Sequence, residues 1–541
     1  MELSITLFRK IKPAHIDTLI ALALALLIYF IAAAFGRIHI DPHHDGILLK
    51  PALDVLNGHM LFRDSFTQYG AFLTYMQAGA MAIFGAELLT IKLQTAFMYA
   101  VSTFFLYKCW RYFLPRGLTI ISALLFIGMA SFYADILLTW SSVYAMALMT
   151  ITIFLLFKFI ENNNYINIFF AGFLSALAFY TRQPVGIVLF ISILFLLVSF
   201  CLFTSNEKKN IKRLICYFVL GYILVILVFS LFFIITGSFY DWYVQSLRFA
   251  FDFGFRGAAR EVGVDGRMGD LLIHLFFSGH IWSVSANSLI WTAMPVMCIY
   301  LFFRFYVGKL HVDNKKLKVK KHASQKEIML LFFVVISIAS WHQYFPTPCV
   351  RHVHWATGIM IGIFVYSIWE ALSDIIAIRR FALLILVLLM FFYGDIHHRV
   401  ISGTIKQRQN LVEINFGHHL NGMMVSADFY HFFHEYFNHI NSLQTMHPGI
   451  PFLNYTRDGL YGITFNENIT NMTVNWGNVV YYDYHNNVLS LIDSYRPVIV
   501  SDRPVNFPGY ELRTNFHHIR IYVHPETLER YRIRDLGGNR Q

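Results

Sequence analysis

Charge is scarce in this 541-residue sequence: Asp, Glu, Lys and Arg together make up 14% of it, against about 25% in soluble domains. That scarcity excludes a soluble globular enzyme, and with 57% hydrophobic residues it also excludes a disordered chain. Cysteine is sparse too. The five are Cys109, Cys201, Cys216, Cys298 and Cys349, none in a CxxC pair, so zinc, redox and disulfide-scaffold motifs are absent. There is no low-complexity segment and no internal repeat, which gives no support to the inverted repeats of secondary transporters. What is present is apolar and aromatic: aromatics reach 17% and mean hydropathy is +0.52. The composition is that of a polytopic membrane protein.

Eleven apolar runs read as spans, over 17–36, 87–107, 118–134, 141–160, 166–181, 185–203, 215–236, 284–305, 327–341, 355–372 and 380–394. Arg9, Lys10 and Lys12 precede the first, with no small-residue cleavage site, so the N-terminus is expected in the cytoplasm. Eleven crossings then put the C-terminus outside.

The net charge is +11, from 43 Lys and Arg against 32 Asp and Glu. The basic residues concentrate in the proposed cytoplasmic segments, at Lys108, Arg111 and Arg116, at Lys208 to Arg213, at Lys315 to Lys326, and at Arg379 and Arg380. The tail, 395–541, is near neutral, with 12 basic and 13 acidic residues. The surplus follows the positive-inside rule and is not a nucleic-acid footprint.

Two features lie outside the spans. In the first outer loop, 37–86, Leu48, Leu49, Ala52, Leu53 and Leu56 share one helical face, which reads as an amphipathic helix on the bilayer surface. Ala71 to Phe84 is apolar but only 14 residues long, short for a span, and reads as interfacial or re-entrant. The second feature is the tail, 395–541. Strands are expected at 498–502 and 519–523 and helices over 425–442 and 486–495, enough for a small α/β domain.

The segment Asp41-Pro-His-His-Asp-Gly46 is the most informative. A carboxylate at the membrane surface suits general-base work on a hydroxyl. Asp41 or Asp45 could equally cap the helix that follows. His43 and His44 are adjacent and lack a ligand-spaced partner, so they do not define a metal site, although a divalent metal stays open. Phosphate needs cations, and Lys50, Arg63, Arg182 and Arg351 are the outer candidates. Arg182 lies between spans five and six, where it could be a snorkelling anchor or a phosphate ligand. Arg351 and His352 lie in the aromatic, proline-containing stretch 341–355, which suits a site wall or an interface belt. Asp135 at the end of span three could bind substrate or be solvated. The tail histidines, His418 and His419 among them, read as surface residues.

The residues His44-Asp-Gly-Ile-Leu-Leu-Lys50, Asn57-Gly-His-Met-Leu-Phe-Arg-Asp64, Gln68-Tyr-Gly70, Ile83-Phe-Gly85 and Ala171 to Arg182 resemble the GT-C superfamily of integral-membrane glycosyltransferases, which use polyprenyl-phosphate sugars. Relatives include protein mannosyltransferases and the aminoarabinose transferases of lipid A. The resemblance covers roughly 15–200. It implies that Asp45 is the general base and that Arg182 contacts the donor phosphate, and it places Asp135 near a second functional acid, with Asp41 left as a competing base. Asp135, His44, Gln68, Tyr69, Gln183 and His352 are the candidates for substrate contact. The sequence departs from the family pattern at Gly46, where Glu is usual, and at Gln68-Tyr69, which replaces a Lys-Pro-Pro-like element.

The expectation is therefore an α-helical polytopic membrane protein of about eleven transmembrane helices, with a catalytic module at 1–394, interfacial helices in its first outer loop and a small periplasmic α/β domain at 395–541. It would sit in a bacterial inner membrane and move a sugar from undecaprenyl phosphate to an envelope acceptor such as O-antigen, with inversion. A synthase for the lipid-linked sugar and a flippase are implied. A glycan polymerase or ligase, relying on Arg256, Arg260 and Arg351, and a non-enzymatic lipid or glycan transporter are the alternatives.

Overall fold

The structure, a computed structural model, describes residues 13–133, 136–204, 211–248, 286–313, 316–319, 322–344, 350–374, 376, 378–379, 381–385, 408–469 and 484–531. The long helices are α1 (Pro13–Gly36), α4 (Leu88–Trp110), α5 (Arg116–Gly128), α6 (Ser141–Asn162), α7 (Tyr165–Phe179), α8 (Gln183–Phe203), α9 (Ile211–Ile235), α10 (Ala286–Lys309) and α11 (Gln325–Ser340). The first loop contributes α2 (Gly46–Leu56) and α3 (Ala71–Phe84).

The contacts at helix ends fix an alternating course. On one side Asp17, near the start of α1, pairs with Arg111 at 3.2 Å and Arg116 at 2.7 Å, at the end of α4 and the start of α5. Lys309 at the end of α10 pairs with Glu327 at the start of α11, 2.8 Å. On the other side the His39 N–H donates to the Met424 carbonyl and the Leu88 N–H to the His419 carbonyl, both 2.8 Å. The first loop and the tail therefore share one face of the bundle, and the paired Arg111, Arg116 and Lys309 lie on the opposite one.

Among the described residues seven helices are long and apolar enough to span a membrane. They correspond to seven of the eleven expected spans. The expected span at 166–181 is the 15-residue α7, which packs so tightly on α9 that a Cβ at Gly172 would lie 2.0 Å from the Phe218 carbonyl oxygen, and one at Gly221 2.0 Å from that of Phe169. The span at 284–305 is α10, 24 residues with Pro295 inside. The span at 355–372 is broken into α12 (Val350–Thr357), a 3-10 turn at Gly358–Met360 and α13 (Ile361–Ala371). Most of 380–394 lies outside the described residues.

Between α10 and α11, β1 (Leu310–Asp313) and β2 (Lys316–Val319) form an antiparallel pair. The tail carries β3 (Leu411–Glu413), β4 (Met424–Ser426), α14 (Ala427–Met446), β5 (Phe452–Tyr455), α15 (Tyr484–Tyr495), β6 (Val498–Ser501), β7 (Glu511–Phe516), β8 (Ile519–Val523) and α16 (Pro525–Tyr531). Four strands form one sheet in the order β5-β6-β8-β7, with β5 and β6 parallel and the other pairs antiparallel. The expected strands and helices of the tail are found within a few residues of their places.

The reading of α2 as a surface helix is corrected. Its apolar residues are divided between two protein cores: Leu48 joins the transmembrane core, while Leu49, Ala52 and Leu53 join Phe433, Tyr436 and Phe437 of α14 and Val498 and Ile521 of the sheet. An apolar helical face asks only for an apolar neighbour, and here the neighbour is protein. Burying each such leucine contributes about 1.5–3 kcal/mol. By contrast α3 leaves Ile83 and Phe84 exposed, in keeping with an interfacial position.

Candidate functional site

The chain leaves α1 and turns sharply through residues 41–45 before α2. Asp41 makes that turn. Its Oδ1 accepts the N–H groups of His43 at 3.0 Å and His44 at 2.9 Å, and its Oδ2 lies 2.6 Å from His44 Nδ1. Burial would raise the Asp41 carboxyl, but the hydrogen bond and charge of His44 hold it well below the usual carboxylate range. Asp41 thus does the work of a helix cap, whereas the Asp45 side chain makes no cap hydrogen bond.

Asp45 is fully buried. Its Oδ2 accepts from Lys92 Nζ at 2.8 Å and from the Asp41 N–H at 3.0 Å. Its Oδ1 is buried and has no hydrogen-bond partner among the described residues. Burial pushes the Asp45 carboxyl above its ordinary range, opposed by the Lys92 ammonium. Lys92, equally buried in the second turn of α4, also donates to the carbonyls of Leu137 at 3.0 Å and His39 at 3.4 Å. Lys92 did not figure among the candidates from sequence. The available signal was an ionisable residue inside an apolar run.

The tail closes over this turn. The Leu460 N–H donates to the Pro42 carbonyl at 3.2 Å, and His43 Nδ1 lies 3.0 Å from the Arg457 carbonyl. A Cβ at Gly46 would sit 2.1 Å from the Leu460 nitrogen. The tail backbone therefore occupies the space that a side chain at position 46 would need.

The second half of the site is built from the quoted motifs at 68–70 and 180–182, which meet in space. The Gly70 N–H donates to the Thr181 carbonyl at 3.2 Å and the Phe72 N–H to that of Tyr180 at 2.8 Å. A Cβ at Gly70 would lie 2.0 Å from the Tyr180 oxygen. Arg182, partly buried at the start of α8, donates to Ser141 Oγ at the start of α6, 3.3 Å. No carboxylate pairs with it among the described residues. Beside it the buried Gln183 Nε2 has no hydrogen-bond partner among the described residues, nor have Trp140 Nε1 and Ser142 Oγ. Two helix N-termini, a guanidinium and several unengaged donors thus converge, an arrangement suited to an anion.

Trp140 joins the halves. Its ring lies 5.0 Å from His44, 5.3 Å from Tyr69 and 6.1 Å, stacked, from Trp355, with His352 5.4 Å beyond. Asp41, His44, Asp45, Tyr69, Arg182, Gln183 and His352 thus border one site, with Gln68 adjoining Tyr69. Lys50 is elsewhere, paired with Asp54 one turn along α2. Arg63 forks onto Asp64 at 2.8 and 2.9 Å and donates to the Thr236 carbonyl. Arg351 lies in α12. Asp135, Arg256 and Arg260 fall outside the described residues. Among the described residues no three His, Cys, Asp or Glu side chains are placed to hold a metal, so no step is assigned to one.

The helical bundle with a small α/β tail over its first loop is a fold shared with solved structures. Residues 70–235 match the dolichyl-phosphate-mannose-protein mannosyltransferase family. ArnT from Cupriavidus metallidurans in the apo state superposes with a TM-score of 0.56 at 10% identity, covering 96% of this chain and 99% of that one. The Archaeoglobus fulgidus oligosaccharyltransferase, in its complex with Zn and sulfate, superposes with a TM-score of 0.54 at 13% identity, covering 90% of this chain and 68% of that one. At these identities the likeness is one of fold. No curated protein sequence matches the chain.

Proposed function

We propose that this protein transfers a sugar from a polyprenyl-phosphate donor, undecaprenyl phosphate in a bacterial inner membrane, to a cell-envelope acceptor such as lipopolysaccharide O-antigen. The observation that carries the reading is Arg182: a partly buried cation with no carboxylate beside it among the described residues, flanked there by unengaged donors at two helix N-termini. A buried charge of this kind is costly unless a counter-ion meets it, and a lipid phosphate is such a counter-ion. The family match supports this, because it spans Trp140, Ser141 and Arg182 and describes a family whose donor is a dolichyl-phosphate sugar.

In this reading Asp45 is the base. Both Asp41 oxygens are engaged in the turn, whereas Asp45 keeps one oxygen unengaged. Asp45 takes the proton of the acceptor hydroxyl, that oxygen bonds to the anomeric carbon, and the bond from that carbon to the phosphate oxygen breaks with inversion. The lipid phosphate leaves as an anion stabilised by Arg182 and needs no general acid. Tyr69, Trp140 and His44 supply the wall against which the sugar stacks. Residues 1–394 form the catalytic module and 395–541 a unit that closes it on the periplasmic side. A lipid-sugar synthase and a flippase would supply the donor.

The test is binding of undecaprenyl phosphate to the purified protein in nanodiscs, followed by native mass spectrometry. Wild type should retain the lipid, and Arg182→Gln should lose at least tenfold in affinity, about 1.4 kcal/mol. Equal binding by the two would remove Arg182 from the phosphate site.

A further inference from the structure

The segment of the tail that closes over Asp45 does not end there. After the turn at Gly459–Gly462 it runs on beside α2 and the two diverge into a cleft of about 480 Å³, within the ~300–1,000 Å³ typical of small-molecule sites. The cleft is walled by α2, the 57–64 loop, His418 and His419, Asn441 of α14, and residues 463–468. The functional site described above does not use it.

Its chemistry selects against phosphate. The one lysine on its wall, Lys50, is already paired with Asp54, and Asp64 and Glu467 add two further carboxylates. The remaining polar wall consists of amides and imidazoles, including Asn57, Asn441 and Asn466. Asn441 Nδ2 donates to His418 Nε2 at 3.0 Å, which makes that nitrogen an acceptor. Two wall atoms, Thr464 Oγ1 and Asn468 Oδ1, are buried without a hydrogen-bond partner among the described residues. Leu53, Ile463 and Phe465 add apolar groups to the lining, with Phe465 stacked on Phe452 at 4.8 Å. Donors and acceptors mixed with a few apolar side chains match a sugar, which presents both hydroxyls and C–H groups.

We propose that this cleft binds an uncharged, hydroxyl-rich glycan, the sugar units of the acceptor next to the unit that reacts. The acceptor role rests on the transferase reading, whereas the glycan binding does not. Proximity favours the pairing: Lys50 lies five residues beyond Asp45, a rise of about 7.5 Å along the helix, so the cleft lies about one and a half turns of α2 from the buried acid. The acceptor is then an oligosaccharide or polysaccharide, not a single lipid-linked sugar.

The experiment uses the full chain in nanodiscs, without donor. Neutral trisaccharides built from glucose, mannose, galactose or N-acetylglucosamine are offered, with inorganic phosphate and undecaprenyl phosphate as competitors. Hydrogen exchange read by mass spectrometry locates the contact. At least one trisaccharide should slow exchange in 463–468, unaffected by phosphate. Asn57 is exposed, so Asn57→Trp obstructs the cleft without disturbing a core and should weaken binding at least tenfold. Asn57→Ala should weaken it less. Thr464→Val, of similar size, should weaken it several-fold. No protection by any trisaccharide, competition by phosphate, or wild-type binding in Asn57→Trp would each overturn the proposal. Because no donor is present, loss of sugar transfer with every lipid donor would strike the transferase reading and leave this result standing. Failure of cleft binding with transfer intact would strike only the cleft.

Discussion

At the scale of single residues, two acids four positions apart have opposite environments. Asp41 is held ionised by the turn it caps. Its depressed pKa stabilises the fold at pH values above the unfolded value of about 3.9, and that contribution is lost as pH falls below it toward the folded value. Unfolding followed against pH should show this acid-sensitive component, and Asp41→Ala should remove it at a cost of about 1 kcal/mol at neutral pH. Asp45 is displaced the other way by burial. A base with a raised pKa is stronger but protonates sooner, so the acid limb of the pH–rate profile should lie above the ordinary aspartate range near 3.9. Asp45→Asn also leaves the Lys92 ammonium buried without its carboxylate, and breaking such a pair costs about 3–5 kcal/mol. The double variant Asp45→Asn with Lys92→Met should regain much of the thermal stability that the single variant loses, yet remain inactive. A double variant no more stable than the single one would deny the pairing.

At the scale of elements, glycines decide which segments touch. Gly46 admits the Leu460 backbone and Gly70 admits the Tyr180 carbonyl. Gly46→Glu should force the tail off the Asp45 turn. The expected cost is at least the ~1–3 kcal/mol of an overpacked site, seen as a lower unfolding temperature and faster proteolysis after Arg457. Unchanged stability would mean that the tail does not close there. The elements themselves were largely legible in the sequence, because apolar runs of span length and alternating β-branched residues carry their own periodicity. The strands at 498–501 and 519–523 and the loop helices followed from it. What periodicity could not give is the identity of the neighbour. Hence the face of Leu49, Ala52 and Leu53 read as lipid-facing when it meets α14, Lys92 passed unnoticed inside an apolar helix, and His418 and His419 read as plain surface when they wall a cleft. Arg182 and Asp45 were both singled out, but nothing in their spacing, 137 positions apart, showed that Trp140 would stand between their two motifs.

At the scale of the molecule, the first loop and the tail share a core in which Leu88 and Ile91 of α4 sit with Val498, Val500 and Ile521 of the sheet. A chain ending at 394 would expose that face, a large apolar patch of the kind that drives aggregation. It should extract poorly in mild detergent and lose transfer, whereas a monodisperse, active 1–394 fragment would show the tail to be dispensable. The central claim is that a lipid-phosphate sugar is cleaved here with Asp45 as base. It is tested most directly by offering purified protein a panel of undecaprenyl-phosphate sugars with crude envelope glycan and measuring free undecaprenyl phosphate by mass spectrometry, for wild type, Asp45→Asn and Asp41→Asn. Wild type should release the lipid with at least one donor, Asp41→Asn should retain part of that release, and Asp45→Asn should reduce it at least a thousandfold. Full release by Asp45→Asn, or none by wild type with any donor, would contradict it.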